Sequence, residues 1–232
     1  MNSEVKATGM TVNASADASL VIQGGTDSAF TAVGTNALSQ DTLKPVTSWD
    51  GVNFGKLSTG VKVLSAHDHS ATWLGTEGAF TSSSLTLVTS SDRADYVADT
   101  TYLIKNVGAN ATLYVKSFTT TIAGSGTNAL LSAMRVAIKL GSTGSVLVFN
   151  VGGGTNDSAG VGKYETDTWS LASKTYVGVN TAGAELGALT ADTEETIYIS
   201  IWFEGQDTLC YSDNVSLNNI NLDIVFTTNT PA

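Results

Sequence analysis

The strongest constraint on the fold is the period-two patterning of the C-terminal third. In "TIYISIWFEG" (196–205), Ile197, Ile199, Ile201 and Phe203 alternate with Tyr198, Ser200, Trp202 and Glu204. In "NINLDIVF" (219–226), Ile220, Leu222, Ile224 and Phe226 alternate with Asn221, Asp223 and Val225. A side-chain period of two belongs to a strand with one buried face, and no helix presents it. About fifteen mostly polar residues separate the two runs, too many for a tight hairpin turn. The two strands are therefore expected in opposite sheets.

The same grammar extends upstream. "DYVADTTYLIKN" (95–106) aligns Tyr96, Ala98, Thr100, Tyr102 and Ile104, "VGAN" (107–110) supplies a turn, and "ATLYVKSFTTTI" (111–122) returns. Residues 95–122 thus read as a hairpin. "TNALLSAM" (127–134) reads as one or two helical turns capped by Thr127 or Asn128, with Leu130, Leu131 and Met134 turned inward. "RVAIKLG" (135–141), "GSTG" and "SVLVFNV" (145–151) read as a second hairpin. Further strands are expected in "YETDTWSLA", "KTYVGVN", "EVKATGMTVNA", "ASLVIQG", "GVKVLSA" and "GAFTSSSLTLVTS". Many short strands and one or two short helices predict an all-β, jelly-roll-like β-sandwich. Its 232 residues suffice for one large domain, 1–232, with 25–70 as a loop-rich elaboration.

Charge narrows the partners. The chain carries 11 Lys and Arg against 21 Asp and Glu, a formal charge of −10. Such a surface repels phosphate, so nucleic acid is not an expected partner. No apolar run approaches the roughly 20 residues of a membrane span. Residues 2–16 lack the apolar centre of a signal peptide, which leaves a cytosolic chain or a secreted one whose leader has been removed. The single cysteine, Cys210, can make no internal disulfide. A surface protein without disulfides could instead carry an intramolecular Lys–Asn isopeptide.

Chemistry-bearing constellations are sparse. His67 and His69 flank Asp68; on a strand the two imidazoles share a face, yet they fall short of a closed metal site and a polar loop is the expectation. "GGGTNDSAGVGK" (152–163) fails as a phosphate loop, because Asp157 stands where glycine is required and Tyr164 follows Lys163. Oxygen ligands for calcium could come from Asn156 and Asp157, or from Asp207, Asp213 and Asn214, but no calcium-loop spacing is present. No cofactor is therefore expected. There is no G-x-S-x-G elbow, Cys210 has no nearby base, and the carboxylate pairs Glu194–Glu195 and Asp92–Asp95 flank strands. A non-enzymatic role follows. Trp49, Trp73 and Trp202 are candidate ligand-facing aromatics that could stack on sugar rings; Trp202 alternates away from the Ile/Phe face. Core or rim packing is the ordinary fate of such residues.

Three segments resemble the TasA/camelysin family of secreted bacterial surface proteins. The start, "SEVKATGMTVNASADASLVI", is similar to the family's mature N-terminus. "DRADYVADTTYLIKNVGANATLYVKSF" followed by "LLSAMRVAIKLG" resembles its order of acidic turn, strand, corner, return strand, short helix and strand. "IYISIWFEGQDTLCYSD" and "NNINLDIVF" resemble its closing pair, in which an aromatic–Glu–Gly corner ends one strand. The resemblance covers about two-thirds of the chain. It implies a secreted, extracellular jelly-roll subunit that polymerises with itself into surface or biofilm-matrix fibres. It also implies donor-strand exchange, in which an N-terminal strand leaves its own subunit to complete the next. Here the candidate donor lies within residues 1–14, with Val5 and Ala7 on one face and Met10, Val12 and Ala14 on the other. The alternative is that this stretch is simply the first strand of its own sandwich. A carbohydrate-binding module or adhesin for surface or matrix glycans, and a viral coat or decoration protein, are the rival functional expectations.

Overall fold

The computed structural model describes residues 5–8, 10–16, 19–25, 27–38, 42–48, 50–57, 85–122, 131, 133–151, 176–205, 216–218 and 220–231. In chain order its strands are β1 (Val5–Thr8), β2 (Thr11–Ala16), β3 (Leu20–Gln23), β4 (Val33–Ala37), β5 (Thr42–Leu43), β6 (Thr47–Ser48), β7 (Phe54–Leu57) and β8 (Leu85–Leu87). These are followed by β9 (Ala98–Asn106), β10 (Ala111–Ile122), β11 (Met134–Leu140), β12 (Val146–Asn150), β13 (Glu185–Leu189), β14 (Glu194–Phe203), β15 (Ser216–Asn218) and β16 (Ile220–Thr227). Two single-turn 3-10 helices, Arg93–Asp95 and Ala182–Ala184, are the named helices among the described residues. Among those residues no helix is long and apolar enough to cross a membrane.

The fold is an all-β sandwich of two five-stranded sheets. The first runs β13-β10-β16-β2-β4 and the second β12-β11-β14-β9-β3. Their inner faces meet in one core. Val12, Leu113, Val115, Leu222, Ile224 and Phe226 come from the first sheet, and Ile22, Ile104, Val136, Ile138, Ile199 and Ile201 from the second, all essentially inaccessible to water. Each such side chain contributes about 1.5–3 kcal/mol of burial free energy, which is what selects the register of these strands.

The alternation in β14 and β16 is realised as expected. Ile197, Ile199, Ile201 and Phe203 face the core from the second sheet, and Ile220, Leu222, Ile224 and Phe226 face it from the first. Residues 135–151 form the expected hairpin, with Lys139 opposite Val146 and Arg135 opposite Asn150. The expected hairpin over 95–122 is not formed. β9 pairs with β14 and β3, whereas β10 pairs with β13 and β16, so the turn at 107–110 carries the chain from one sheet to the other. Alternation gives both strands an inward face, but it says nothing about which sheet receives each.

Other expectations shift. Met134 opens β11 rather than closing a helix, while 123–130 and 132 lie outside the described residues. Tyr176–Asn180, the described part of "KTYVGVN", is not strand. "YETDTWSLA", "GVKVLSA" and residues 78–84 lie outside the described residues. The flank 25–70 is not only loop: β4 completes the first sheet as the antiparallel neighbour of β2.

The flank also supplies two of the three strands of a third layer. β6, β7 and β8 form a three-stranded sheet whose Phe54 meets Trp202 edge-on, ring centroids 5.2 Å apart. With Val46, Val97 and Ala137 these residues make a second, smaller core on the outer face of the second sheet. Gly51 permits the approach. Its φ is +73° and a Cβ there would stand 2.7 Å from that of Ala137.

Candidate functional site

The candidate site is the N-terminal segment and the slot it fills in the first sheet. β2 lies between β16 and β4, parallel to the first (Val12 opposite Leu222, Ala14 opposite Ile224) and antiparallel to the second (Val12 opposite Asn36, Ala14 opposite Gly34). Its inward residues are Val12 and Ala14, both fully buried, with Met10 immediately before the strand also buried. Thr11, Asn13 and Ser15 alternate outward and are half-buried. The local sequence dictates this split, because small or branched apolar residues at every second position suit a strand pressed against a close-packed core.

Polar contacts fix the register from three sides. Tyr102 of β9 donates its hydroxyl across the core to the Val12 carbonyl at 2.5 Å. On the outer face the Asn13 amide donates to Asp223 at 2.6 Å, and Thr35 donates to the Asn13 side-chain oxygen at 3.0 Å. At the strand ends the Leu38 N–H donates to the Met10 carbonyl and the Ala16 N–H to the Ala32 carbonyl. Burial pushes the Tyr102 phenol far above its ordinary value, so this donor keeps its proton.

The far wall of the slot is polar. On β4, Gly34 and Asn36 are the inward residues. The Asn36 amide donates to the Thr100 hydroxyl at 2.7 Å and to the Thr101 carbonyl at 2.8 Å, while its oxygen accepts the Gly25 N–H. The segment leading into β4 is tied to β3 as well, through the paired backbone bonds of Ile22 and Thr31. β4 is therefore held to the second sheet by its own contacts, separately from those it makes to β2.

β1 lies in a small sheet, parallel to β15 and antiparallel to β5. Val5 and Ala7 are thus placed on a paired strand, with Val5 opposite Leu43 and Ala7 opposite Leu217. Among the described pairings of named strands, only β1–β15 and β2–β16 are parallel, and both involve the N-terminal segment.

His67, Asp68, His69, Trp49, Trp73, Asn156, Asp157, Asp207, Cys210, Asp213 and Asn214 lie outside the described residues. Trp202 is a correction. It is fully buried beneath Phe54 and offers no surface for sugar stacking. Alternation correctly turned it away from the main core, but the third sheet then covered it. Glu204 and Gly205 do end β14: Glu204 makes a single bridge to Val46. Among the described residues no group of three or more His, Cys, Asp and Glu side chains is placed to hold a metal ion.

Sequence reading missed Tyr102 as a polar anchor and missed Asn36 altogether. Tyr102 carried one signal, its place on the inward face of an alternating strand, because a buried phenol needs a partner. It also missed the triad of Arg93, Asp99 and Ser200 on the outer face of the second sheet. There the Arg93 guanidinium grips Asp99 at 2.6 and 3.0 Å and Ser200 donates to the same carboxylate at 2.6 Å. The long sequence separation between Ser200 and the other two leaves no local trace.

No family model, curated protein or solved structure matches this chain.

Proposed function

We propose that this chain is a non-enzymatic, secreted structural subunit that polymerises with copies of itself by passing its N-terminal strand to the next subunit. The observation that supports this reading is the insertion of β2 between β16, to which it is parallel, and β4, to which it is antiparallel. β2 precedes the other nine sandwich strands in chain order, so its departure unthreads none of them. The slot it vacates has two walls that are otherwise anchored: β16 pairs with β10, while β4 is bonded to β9 through Asn36 and the segment before it bridges to β3 at Thr31. An identical strand from a neighbour would restore every ladder bond and refill the places of Met10, Val12 and Ala14. The bonds that break in one subunit re-form in the next, so the exchange is close to neutral in energy and concentration drives it. A donor that leaves its own slot for that of the following copy makes a head-to-tail contact, and a head-to-tail contact that does not close on itself yields a filament.

Electron microscopy of the full chain beside one lacking residues 2–14 tests the proposal. Filaments from the full chain alone are expected. Addition of residues 2–16 as a free peptide to the truncated chain should restore a folded monomer that does not extend. Filaments from both chains, or monomers from the full chain at every concentration, would overturn it.

A further inference from the structure

Lys56 and Asp92 make the most unusual side-chain pair outside the N-terminal site. Lys56 stands on β7 and its Nζ contacts Asp92 Oδ2 directly. Both side chains are about three-quarters buried, with 26% and 24% of their surface exposed. The ring of Tyr96 lies 5.4 Å from the Lys56 amine. The second carboxylate oxygen is held independently: Asp92 Oδ1 accepts the Thr89 N–H at 2.7 Å and the Thr89 hydroxyl at 2.9 Å. A neighbouring pair provides the contrast. Lys44 meets Asp95 at 3.0 Å, but Asp95 is 56% exposed, so water reaches that carboxylate freely.

We infer that Lys56 and Asp92 form an intramolecular isopeptide bond. Proton transfer within the ion pair gives an amine and a carboxylic acid. Nζ attacks Asp92 Cγ and the developing negative charge falls on Oδ1. That oxygen already faces the two Thr89 donors, which stabilise it as an oxyanion hole does. Oδ2 leaves with two of the protons from Nζ as one water, and the third stays on the new amide. Ammonium plus carboxylate thus become amide plus water, and no oxidant, cofactor or outside reactant is consumed. Contact between the groups, three-quarters buried beside the Tyr96 ring, supplies the proximity this condensation requires.

The linkage has a structural consequence. It closes the chain from β7 to the turn after β8, in a protein whose single cysteine can form no internal disulfide. The residue after Asp92 is Arg93, which binds Asp99 and Ser200 of the second sheet. The amide therefore ties the third layer covalently to a turn already clamped on the sandwich. It is a Lys–Asp bond, so the product is lighter by one water, whereas a Lys–Asn bond would lose ammonia. The inference rests on this pair alone and is independent of whether the chain polymerises.

Intact mass spectrometry of the denatured, purified chain, followed by tryptic mapping, tests it. The expected mass is one water below that of the sequence. Lys56 should be uncut, and the peptides carrying Lys56 and Asp92 should run as one branched species. The Lys56→Arg and Asp92→Ala variants should each show the full mass of their sequence. The full mass in the parent chain would overturn the inference. So would a water loss that maps elsewhere, such as a succinimide at Asp50–Gly51.

Discussion

Tyr102 and Val12, ninety positions apart, are joined by a 2.5 Å hydrogen bond from the phenol of one sheet to the backbone carbonyl of the other. The bond pins the N-terminal strand to the opposite face of the core. It also makes the seating of that strand measurable.

Tyr102→Phe should destabilise the fold by about 1–3 kcal/mol, because the Val12 carbonyl stays buried and loses a donor. Urea unfolding followed by far-UV circular dichroism measures the loss. An effect indistinguishable from zero would mean that this bond does not hold β2.

The same phenol predicts an alkaline limit. Its proton is held far more tightly in the folded state than in the unfolded chain, since burial opposes the phenolate. Below about pH 10 both states keep the proton and stability is unaffected. Above it the unfolded chain ionises first, so stability should fall by about 1.4 kcal/mol per pH unit from this group. Stability curves from pH 8 to 11.5 should be flatter for Tyr102→Phe than for the parent chain.

Gly34→Val should be strongly destabilising, by about 1–3 kcal/mol or more. A Cβ at Gly34 would stand 2.8 Å from the Gly24 nitrogen, 2.9 Å from Ile22 Cγ2 and 3.1 Å from Tyr102 Cδ1. Backbone lies in the way, so no rotamer relieves the clash. A thermal midpoint unchanged from the parent would show that β4 approaches β3 less closely than described.

Trp202 is expected to be invisible to surface probes. Its fluorescence should resist iodide quenching, and Trp202→Ala should cost about 3–5 kcal/mol, the range for deleting a large core aromatic. If Trp202→Ala instead abolished glycan binding at unchanged stability, the buried placement would be wrong.

Arg93→Lys should lower stability by no more than about 1 kcal/mol, with the difference shrinking at high salt. The Arg93–Asp99 pair is partly open to solvent, 30% and 46% exposed, and lysine cannot reproduce the two-pronged grip. Unfolding in low and high salt checks both parts.

Side-chain period is the part of this fold that local sequence encodes. Inward faces in β2, β9, β14 and β16 were legible because a strand with one buried side must alternate, and a slip by one residue exposes every apolar group. The hairpin of 135–151 was legible because its turn residues sit directly between two alternating runs. Partnership was not legible. The 107–110 turn looks the same whether it folds a strand onto its neighbour or carries it across the core, and only the competition among ten sandwich strands for edges decided that β9 and β10 face each other. Trp202 shows the same limit: alternation turned it outward, and whether outward meant solvent or a third layer depended on Phe54, far away in sequence. The Tyr102–Val12 bond, the Asn36 anchor and the Lys56–Asp92 contact join residues separated by dozens of positions. Local spacing carries no record of such pairs, because they form only when packed sheets bring the strands together.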